Sequence, residues 1–202
     1  MKKHLIAYAK KPLPGYAKTR LGDKIGFEES AGVYARFLYQ CLLELINLDR
    51  DEISVELSLA SASDIPFFRL AFPEFQVSAQ IEADFGQRLA QSLKAAFEDG
   101  AEAVVLIGTD IPDLDRSIIH SAFDALEENE VVIGPGTDGG YYLMGTRLRN
   151  ASLFQDIDWS SEFVLQQTEK LVRLQQLSTK FLPILPDIDT EADFQRWLAT
   201  RV

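Results

Sequence analysis

Apolar and polar residues follow two rhythms along this chain. Short runs with strand character, at residues 4–9, 53–59, 75–79, 103–108, 131–134, 141–144 and 181–185, are interleaved with segments whose apolar side chains recur at helical spacing. Residues 28–48 are the longest such segment, with Val33, Phe37, Leu38, Cys41, Leu42, Leu45 and Ile46 on one stripe. Residues 103–108 are apolar without a break, the pattern of a central parallel strand buried on both faces. Asp64 and Pro66 suit the cap and first turn of a short helix through Ala71. A helix over 85–98 is stopped by Gly100, and Asp115 can cap one running to about Glu128. Further helices are expected over 162–177, with Ser160 and Ser161 as its cap, and over 190–200, where Thr190 and Asp193 resemble a capping box. No linker, repeat or low-complexity tract interrupts the alternation. The expectation is one α/β domain over residues 1–202, a three-layer α/β/α Rossmann-like sandwich with a mixed, mainly parallel sheet.

Composition narrows the function. The formal net charge is −11, which repels nucleic acid and anionic membrane surfaces. No segment reads as a secretory signal, and no apolar run is long enough to span a bilayer, so a cytoplasmic location without membrane insertion is expected. Cys41 is the only cysteine and lies in an apolar run, which suits a buried structural thiol. With His4 and His120 as the only histidines, a zinc site of the usual Cys/His type is excluded, and His120, inside a predicted helix, reads as structural. Residues 1–24 carry seven basic side chains and one acid, leaving 13 basic against 30 acidic residues elsewhere. A cationic start on an anionic protein suits a small anionic ligand, although a solvated basic terminus has the same composition.

In a parallel sheet, ligands sit at the carboxyl ends of strands, and the candidate motifs fall there. Lys10-Lys11-Pro12-Leu13-Pro14-Gly15-Tyr16-Ala17-Lys18-Thr19-Arg20 follows the first strand. Two prolines and a glycine stiffen a loop that offers Lys10, Lys18 and the forked Arg20 to phosphates. It matches neither a Walker A loop nor the dinucleotide glycine spacing, and an ordinary basic surface loop is the alternative. Gly108-Thr109-Asp110-Ile111-Pro112 follows the most apolar strand. A carboxylate that meets phosphates shares Mg²⁺ or Mn²⁺ with them; otherwise Asp110 is a strand-end cap, a task that Asp113 or Asp115 can perform. Gly134-Pro135-Gly136-Thr137-Asp138-Gly139-Gly140-Tyr141-Tyr142 suits close approach of backbone to substrate, or a hairpin turn. Asp187 and Asp189 flank a helix start, where one is a candidate second metal ligand or cap. Trp159 is read as core or pocket wall.

Together these segments, with Ile157-Asp158-Trp159-Ser160 and Asp187-Ile188-Asp189-Thr190, resemble small glycosyltransferase-like proteins of the A-type nucleotide-diphospho-sugar transferase fold. Some members of that family carry an arsenosugar-biosynthesis glycosyltransferase label. The Lys-Thr-Arg loop is similar to that of phospholactate guanylyltransferases, and the fold to that of molybdenum-cofactor guanylyltransferases. The chain departs in having Ala83-Asp84-Phe85-Gly86 where members often have Gly-Asp-Leu-Gly, and it lacks the Gly-x-Gly-x-Arg nucleotidyltransferase signature. The resemblance implies that Lys10, Lys18 and Arg20 hold nucleotide phosphates, with Pro14 and Gly15 shaping their loop. It implies Asp110 and Asp189 as ligands of Mg²⁺ or Mn²⁺, and Asp138 beside the transferred group. Gln87 and Arg88 would line the nucleotide side, and Thr109, Gly139, Gly140 and Tyr141 the remaining substrate contacts. The expected function is a metal-dependent transferase that takes a nucleotide-activated donor, first a nucleotide-diphospho-sugar, to a small-molecule acceptor. Lys18 and Arg20 would stabilise the leaving phosphates, and Asp138 would orient or deprotonate the acceptor. The alternatives are nucleotidyl transfer from a nucleoside triphosphate with release of pyrophosphate, or nucleotide binding without catalysis.

Overall fold

The computed structural model describes residues 1–149 and 151–200, with Ala151 by its backbone alone. Its strands are β1 (Lys3–Ala9), β2 (Ile53–Leu59), β3 (Gln76–Ala79), β4 (Ala103–Gly108), β5 (Val131–Pro135), β6 (Tyr141–Thr146) and β7 (Thr179–Phe181). Its helices are α1 (Thr19–Ile25), α2 (Phe27–Ile46), α3 (Ile65–Ala71), α4 (Phe85–Glu98), α5 (Arg116–Glu128), α6 (Val164–Leu174) and α7 (Glu191–Ala199), with short 3₁₀ turns at Ala62–Asp64 and Ala151–Phe154. The strands form one sheet in the order β3-β2-β1-β4-β6-β5-β7. Six run in one direction, and only β6 is reversed, antiparallel to both β4 and β5. The sheet is therefore mixed and mainly parallel. No helix among the described residues is long and apolar enough to cross a membrane.

The period-two pattern of each strand feeds two separate cores. Odd-numbered residues of β1, such as Leu5 and Ala7, join Leu38, Leu42 and Leu45 of α2 and Phe123 and Leu126 of α5 on one face. Even-numbered Ile6 joins Val104, Leu106, Ile133 and Met144, covered by Leu89, Leu93 and Phe97 of α4 and Val172 of α6, on the other. Two helix layers thus enclose the sheet. β4 is buried on both faces, from Ala103 to Ile107, because each face lies under a helix. A third cluster of Phe37, Ile188 and Trp197 seats α7 against α2, the two rings meeting edge-on at 5.0 Å. Each of these fully buried large side chains contributes about 1.5–3 kcal/mol by leaving water.

Most helix ends follow their caps. Asp84 and Asp115 each accept a backbone N–H in the first turn of α4 and α5, and Gly100 takes φ 89° after α4. The capping box of Thr190 and Asp193 is formed at α7. Four expectations need correction. The basic loop ends in α1, so Thr19 and Arg20 lie in a helical first turn. Asp64 does not cap α3 with its side chain; its buried carboxylate accepts the Lys11 N–H at 3.1 Å. Ser160 and Ser161 do not cap α6, whose cap position is Phe163; the Ser161 hydroxyl instead donates to the Asp158 carbonyl. The last strand is Thr179–Phe181 rather than 181–185, because Pro183 has no N–H to donate. The chain still tracks β5 beyond it, as Leu182 and Leu185 donate to Ile133 and Pro135.

α4 packs where Gly86 allows it. A Cβ there would lie 2.6 Å from the Phe154 carbonyl oxygen and 2.6 Å from Trp159 Nε1. Gly86→Ala is expected to destabilise the fold by about 1–3 kcal/mol, lowering Tm by roughly 3–10 °C in thermal unfolding.

Candidate functional site

β1 and β4 are neighbours from which the chain departs in opposite directions across the sheet, so a crevice opens beyond their carboxyl ends. A chain of hydroxyls locks this point. Thr109 Oγ1 donates to the Tyr8 carbonyl at 2.8 Å, so its single proton is used, and the Tyr34 hydroxyl at 3.2 Å must be the donor to Thr109. The Tyr34 oxygen in turn accepts the Lys10 N–H at 3.0 Å. One tyrosine from α2 therefore ties the loop after β1 to the loop after β4. Thr109 and Tyr34 are both buried, and burial raises the Tyr34 pKa, keeping the phenol protonated.

The basic loop folds back through a turn at Leu13-Pro14-Gly15-Tyr16, closed by Tyr16 N–H to the Leu13 carbonyl at 3.1 Å. Gly15 has φ 73°, as the third position of a type II turn requires, with proline before it. Pro14 and Gly15 are exposed at the tip and lie outside the cleft lining. Lys18, the cap residue of α1, adopts the left-handed conformation, with φ 49° and ψ 46°. Its side chain, only 2% exposed, turns into the crevice, and its Nζ meets three carboxylates: Asp110 at 2.8 Å, Asp187 at 3.0 Å and Asp189 at 2.9 Å. Exposed Arg20 closes the group from outside, with Nη2 2.7 Å from Asp189 Oδ2. Lys10 lines the same cleft from its exposed position.

Asp187 and Asp189 reach Lys18 by simple alternation. Ile188 between them is buried in the cluster with Phe37 and Trp197, so its two neighbours point the other way. The segment is anchored upstream, where the Thr137 N–H donates to the Leu185 carbonyl at 3.2 Å. Ligand oxygens of Asp110, Asp187 and Asp189 all lie within 4.8 Å of one another. An all-oxygen carboxylate set of this kind is the donor chemistry of Mg²⁺ or Mn²⁺. The Lys18 ammonium, held by all three, marks the place as one that stabilises a cation.

Within the glycine-rich segment 134–142, residues 136–140 are the hairpin loop between β5 and β6, and the segment also forms a cleft wall through Gly136, Asp138, Gly140 and Tyr141. The hairpin reading of that motif is the one observed, and the loop also borders the cleft. Asp138 Oδ1 accepts the Gly140 N–H at 2.9 Å, which fixes the carboxylate at the cleft. Gly139 lies outside the lining but seats the loop on α6: its carbonyl accepts the Leu165 N–H at 2.8 Å, and a Cβ at its φ of 86° would meet the Glu162 carbonyl oxygen at 2.1 Å. The cleft has a volume of about 610 Å³. Its far wall is aromatic: Phe85 meets Trp159 edge-on at 5.0 Å, with Tyr8 and Tyr141 beside them. Arg88 lies on this wall rather than beside the carboxylates, bonded through Nη1 to Gln80 Oε1 at 2.9 Å.

Sequence reading identified Lys10, Lys18, Arg20, Asp110 and Asp189, and the structure brings them together; Thr109 lies directly beneath. Asp187, left there as one of two possibilities, is a full member of the group. Tyr34, Tyr8 and Phe85 were missed, since tyrosines and phenylalanines on helix and strand faces read as core, and Gln80, just after β3, carried no sequence signal. Cys41 is buried as expected, its thiol pushed up to about 12 by burial.

Burial works against the charge on Lys18, but the three carboxylates outweigh it and raise its pKa. Burial also opposes ionisation of Asp110, yet the Lys18 charge and hydrogen bond hold it below the ordinary carboxylate range. Asp187 differs: burial, with Asp110 and Asp189 adding repulsion, pushes it up to about 6 despite Lys18. Between roughly pH 4 and 6 the folded chain keeps a proton here that the unfolded chain has released, so the group lowers stability as pH rises through that window, by on the order of 2–3 kcal/mol. In chelator-treated protein, Asp187→Asn is expected to flatten this fall, read as urea midpoints across the same range.

With this geometry in view, the similarities of the chain are informative. The profile of the family described as "Uncharacterized protein conserved in bacteria (DUF2064)" matches residues 46–161. A comparison with curated proteins finds no match. Among solved structures, a candidate nucleotide-diphospho-sugar transferase from Desulfovibrio desulfuricans G20 is 32% identical, with a TM-score of 0.91 over 99% of this chain and 87% of that one. Rv0371c from Mycobacterium tuberculosis H37Rv superimposes with a TM-score of 0.60 at 16% identity over 98% and 99% of the two chains. A 4-diphosphocytidyl-2C-methyl-D-erythritol synthase from Anaerococcus prevotii DSM 20548 gives 0.62 at 13% identity over 99% and 96%. The protein is thus a member of the bacterial DUF2064 family, built on the fold of the nucleotide-diphospho-sugar transferases.

Proposed function

We propose that this chain is a metal-dependent transferase that takes its donor as a nucleotide diphosphate conjugate, most simply a nucleotide-diphospho-sugar. One observation carries the reading: at the point where the strand order reverses, the Asp110, Asp187 and Asp189 carboxylates converge on the Lys18 ammonium, each with an oxygen within 3.0 Å of its Nζ. The resemblance to the Desulfovibrio protein, over nearly the whole of this chain, supports the same reading. So does the fold shared with a manganese complex of Rv0371c.

The charges explain why a dication belongs here. Three carboxylates and one ammonium carry a net charge of about −2 when all are ionised, which Mg²⁺ or Mn²⁺ would neutralise. Asp110, Asp187 and Asp189 would hold the ion, which supplies Lewis-acid stabilisation of the donor diphosphate. Lys10, Lys18 and Arg20 would grip the phosphates and stabilise the charge that develops as they leave. In this role Lys18 exchanges its carboxylate contacts for phosphate contacts. Asp138 would face the acceptor and orient it or take its proton, and the hairpin loop would present backbone to the transferred group. The same groups serve a triphosphate equally well, so nucleotidyl transfer is the second reading. Incubation with nucleoside triphosphate and sugar phosphates, with pyrophosphate as the readout, separates the two: its release identifies nucleotidyl transfer.

Screening nucleotides and nucleotide-sugars by thermal shift is expected to raise Tm only when Mn²⁺ or Mg²⁺ is present, and Asp110→Asn should weaken that metal-dependent binding at least tenfold, about 1.4 kcal/mol. Unchanged affinity in Asp110→Asn would refute the metal assignment. Lys18→Met leaves the three carboxylates without their internal cation and is expected to destabilise the metal-free protein by about 3–5 kcal/mol. Mn²⁺ alone should then recover much of that loss in a thermal melt, whereas it should shift the wild type little.

A further inference from the structure

The basic loop is braced from behind by a carboxylate that the cleft does not use. β2 lies beside β1, and the 3₁₀ turn that follows it ends in Asp64, which is 4% exposed. Its Oδ2 accepts the Lys11 N–H at 3.1 Å. On the returning limb of the loop, burial and then the charge and hydrogen bond of the same carboxylate raise the Tyr16 pKa, which keeps the phenol a donor. Both of these partners belong to the loop, so one carboxylate ties its outgoing and returning limbs together. A buried carboxylate is costly unless donors meet it, and loop and carboxylate therefore stabilise each other. The backbone amides of the outgoing limb are already spent. Lys10 gives its N–H to the Tyr34 oxygen, Lys11 to Asp64 and Leu13 to the Lys11 carbonyl at 2.9 Å, while Pro12 and Pro14 have none. This limb offers a phosphate its side chains rather than its amides.

Side chains grip well only where their backbone is held. The two consecutive lysines diverge: Lys11 lays its ammonium over the Phe67 ring at 5.1 Å, outside the cleft lining, while Lys10 lines the cleft. On the other limb, Tyr16 precedes Lys18 by two residues, with Ala17 buried in the core between them. We propose that Asp64 is a positioning residue for the donor diphosphate: by bracing Lys11 and Tyr16 it holds the loop in the shape that turns Lys10 and Lys18 toward the same anion. This role rests on the phosphate-gripping reading above. It is exerted through hydrogen bonds, since Asp64 lies behind the loop and outside the cleft lining.

The test is isothermal titration calorimetry of inorganic pyrophosphate with Mg²⁺ on the full chain, well below Tm. Asp64→Ala is expected to weaken binding by about tenfold or more. Asp64→Asn should stay within about threefold of the wild type, because its amide oxygen accepts the Lys11 N–H and its amide N–H donates to the Tyr16 oxygen. Tyr16→Phe removes one bond and no charge, and should fall between the two. A merely structural role would lower Tm in Asp64→Ala and leave the affinity of the folded protein unchanged, which overturns the proposal. It is equally overturned if Asp64→Asn binds as weakly as Asp64→Ala, since the effect would then belong to the charge. Should Asp64→Ala not fold, Tyr16→Phe decides, and wild-type affinity in that variant overturns the proposal. Equal binding by the wild type and Asp64→Ala leaves the phosphate-gripping reading intact. A wild type that binds no pyrophosphate removes that reading, and the positioning role with it.

Discussion

Everything around the cleft is arranged about one ammonium group. Lys18 is buried, in a backbone conformation that few non-glycine residues adopt, and it stays charged because three carboxylates outweigh its desolvation. The converse also holds. Asp110, Asp187 and Asp189 are tolerable at such close range because a cation lies between them, and Asp187 shows the residual strain in its raised pKa. One positive charge does not balance three negative ones. The imbalance is one that a second cation would relieve.

The supports of this group are ordinary elements of the fold. The hydroxyl chain through Tyr34 and Thr109 fixes the ends of β1 and β4 relative to each other, so the basic loop and Asp110 share one reference frame. Ile188, anchored by Phe37 and Trp197, sets the orientation of both C-terminal aspartates. Apolar packing in the third cluster thereby determines where charge is placed.

Much of this was legible in the residues. Strand and helix rhythms located the principal elements because apolar spacing is dictated by burial on known periods, and β4 was identifiable as central from its unbroken apolar run. Positions of charged residues after strand ends pointed to Lys18 and Asp110. Boundaries went astray where the deciding interaction was tertiary: Asp64 is diverted from capping by the Lys11 N–H, and the strand at β7 is cut short by Pro183 although pairing with β5 resumes. α1 was hidden within a segment that its prolines and glycine mark as a loop. Sequence spacing also could not show that Lys18 faces carboxylates rather than open solvent, since its contacts with Asp187 and Asp189 span 169 and 171 positions. Arg88 and its aromatic neighbours likewise come from β1, α4 and the segment before α6, and only folding makes them one wall.

The separation between Lys18 and its C-terminal partners has an outcome for biogenesis. A ribosome releases the front of this chain long before Asp187 and Asp189 exist, so an emerging Lys18 meets at most Asp110 among its eventual partners. The sheet can assemble from β1 to β6 in that interval, but the full Lys18 carboxylate group cannot. Completion of the site waits for the final segment to dock Ile188 between α2 and α7. Formation of the complete charge cluster therefore depends on the part of the chain that follows β6 and α6, rather than on the sheet alone.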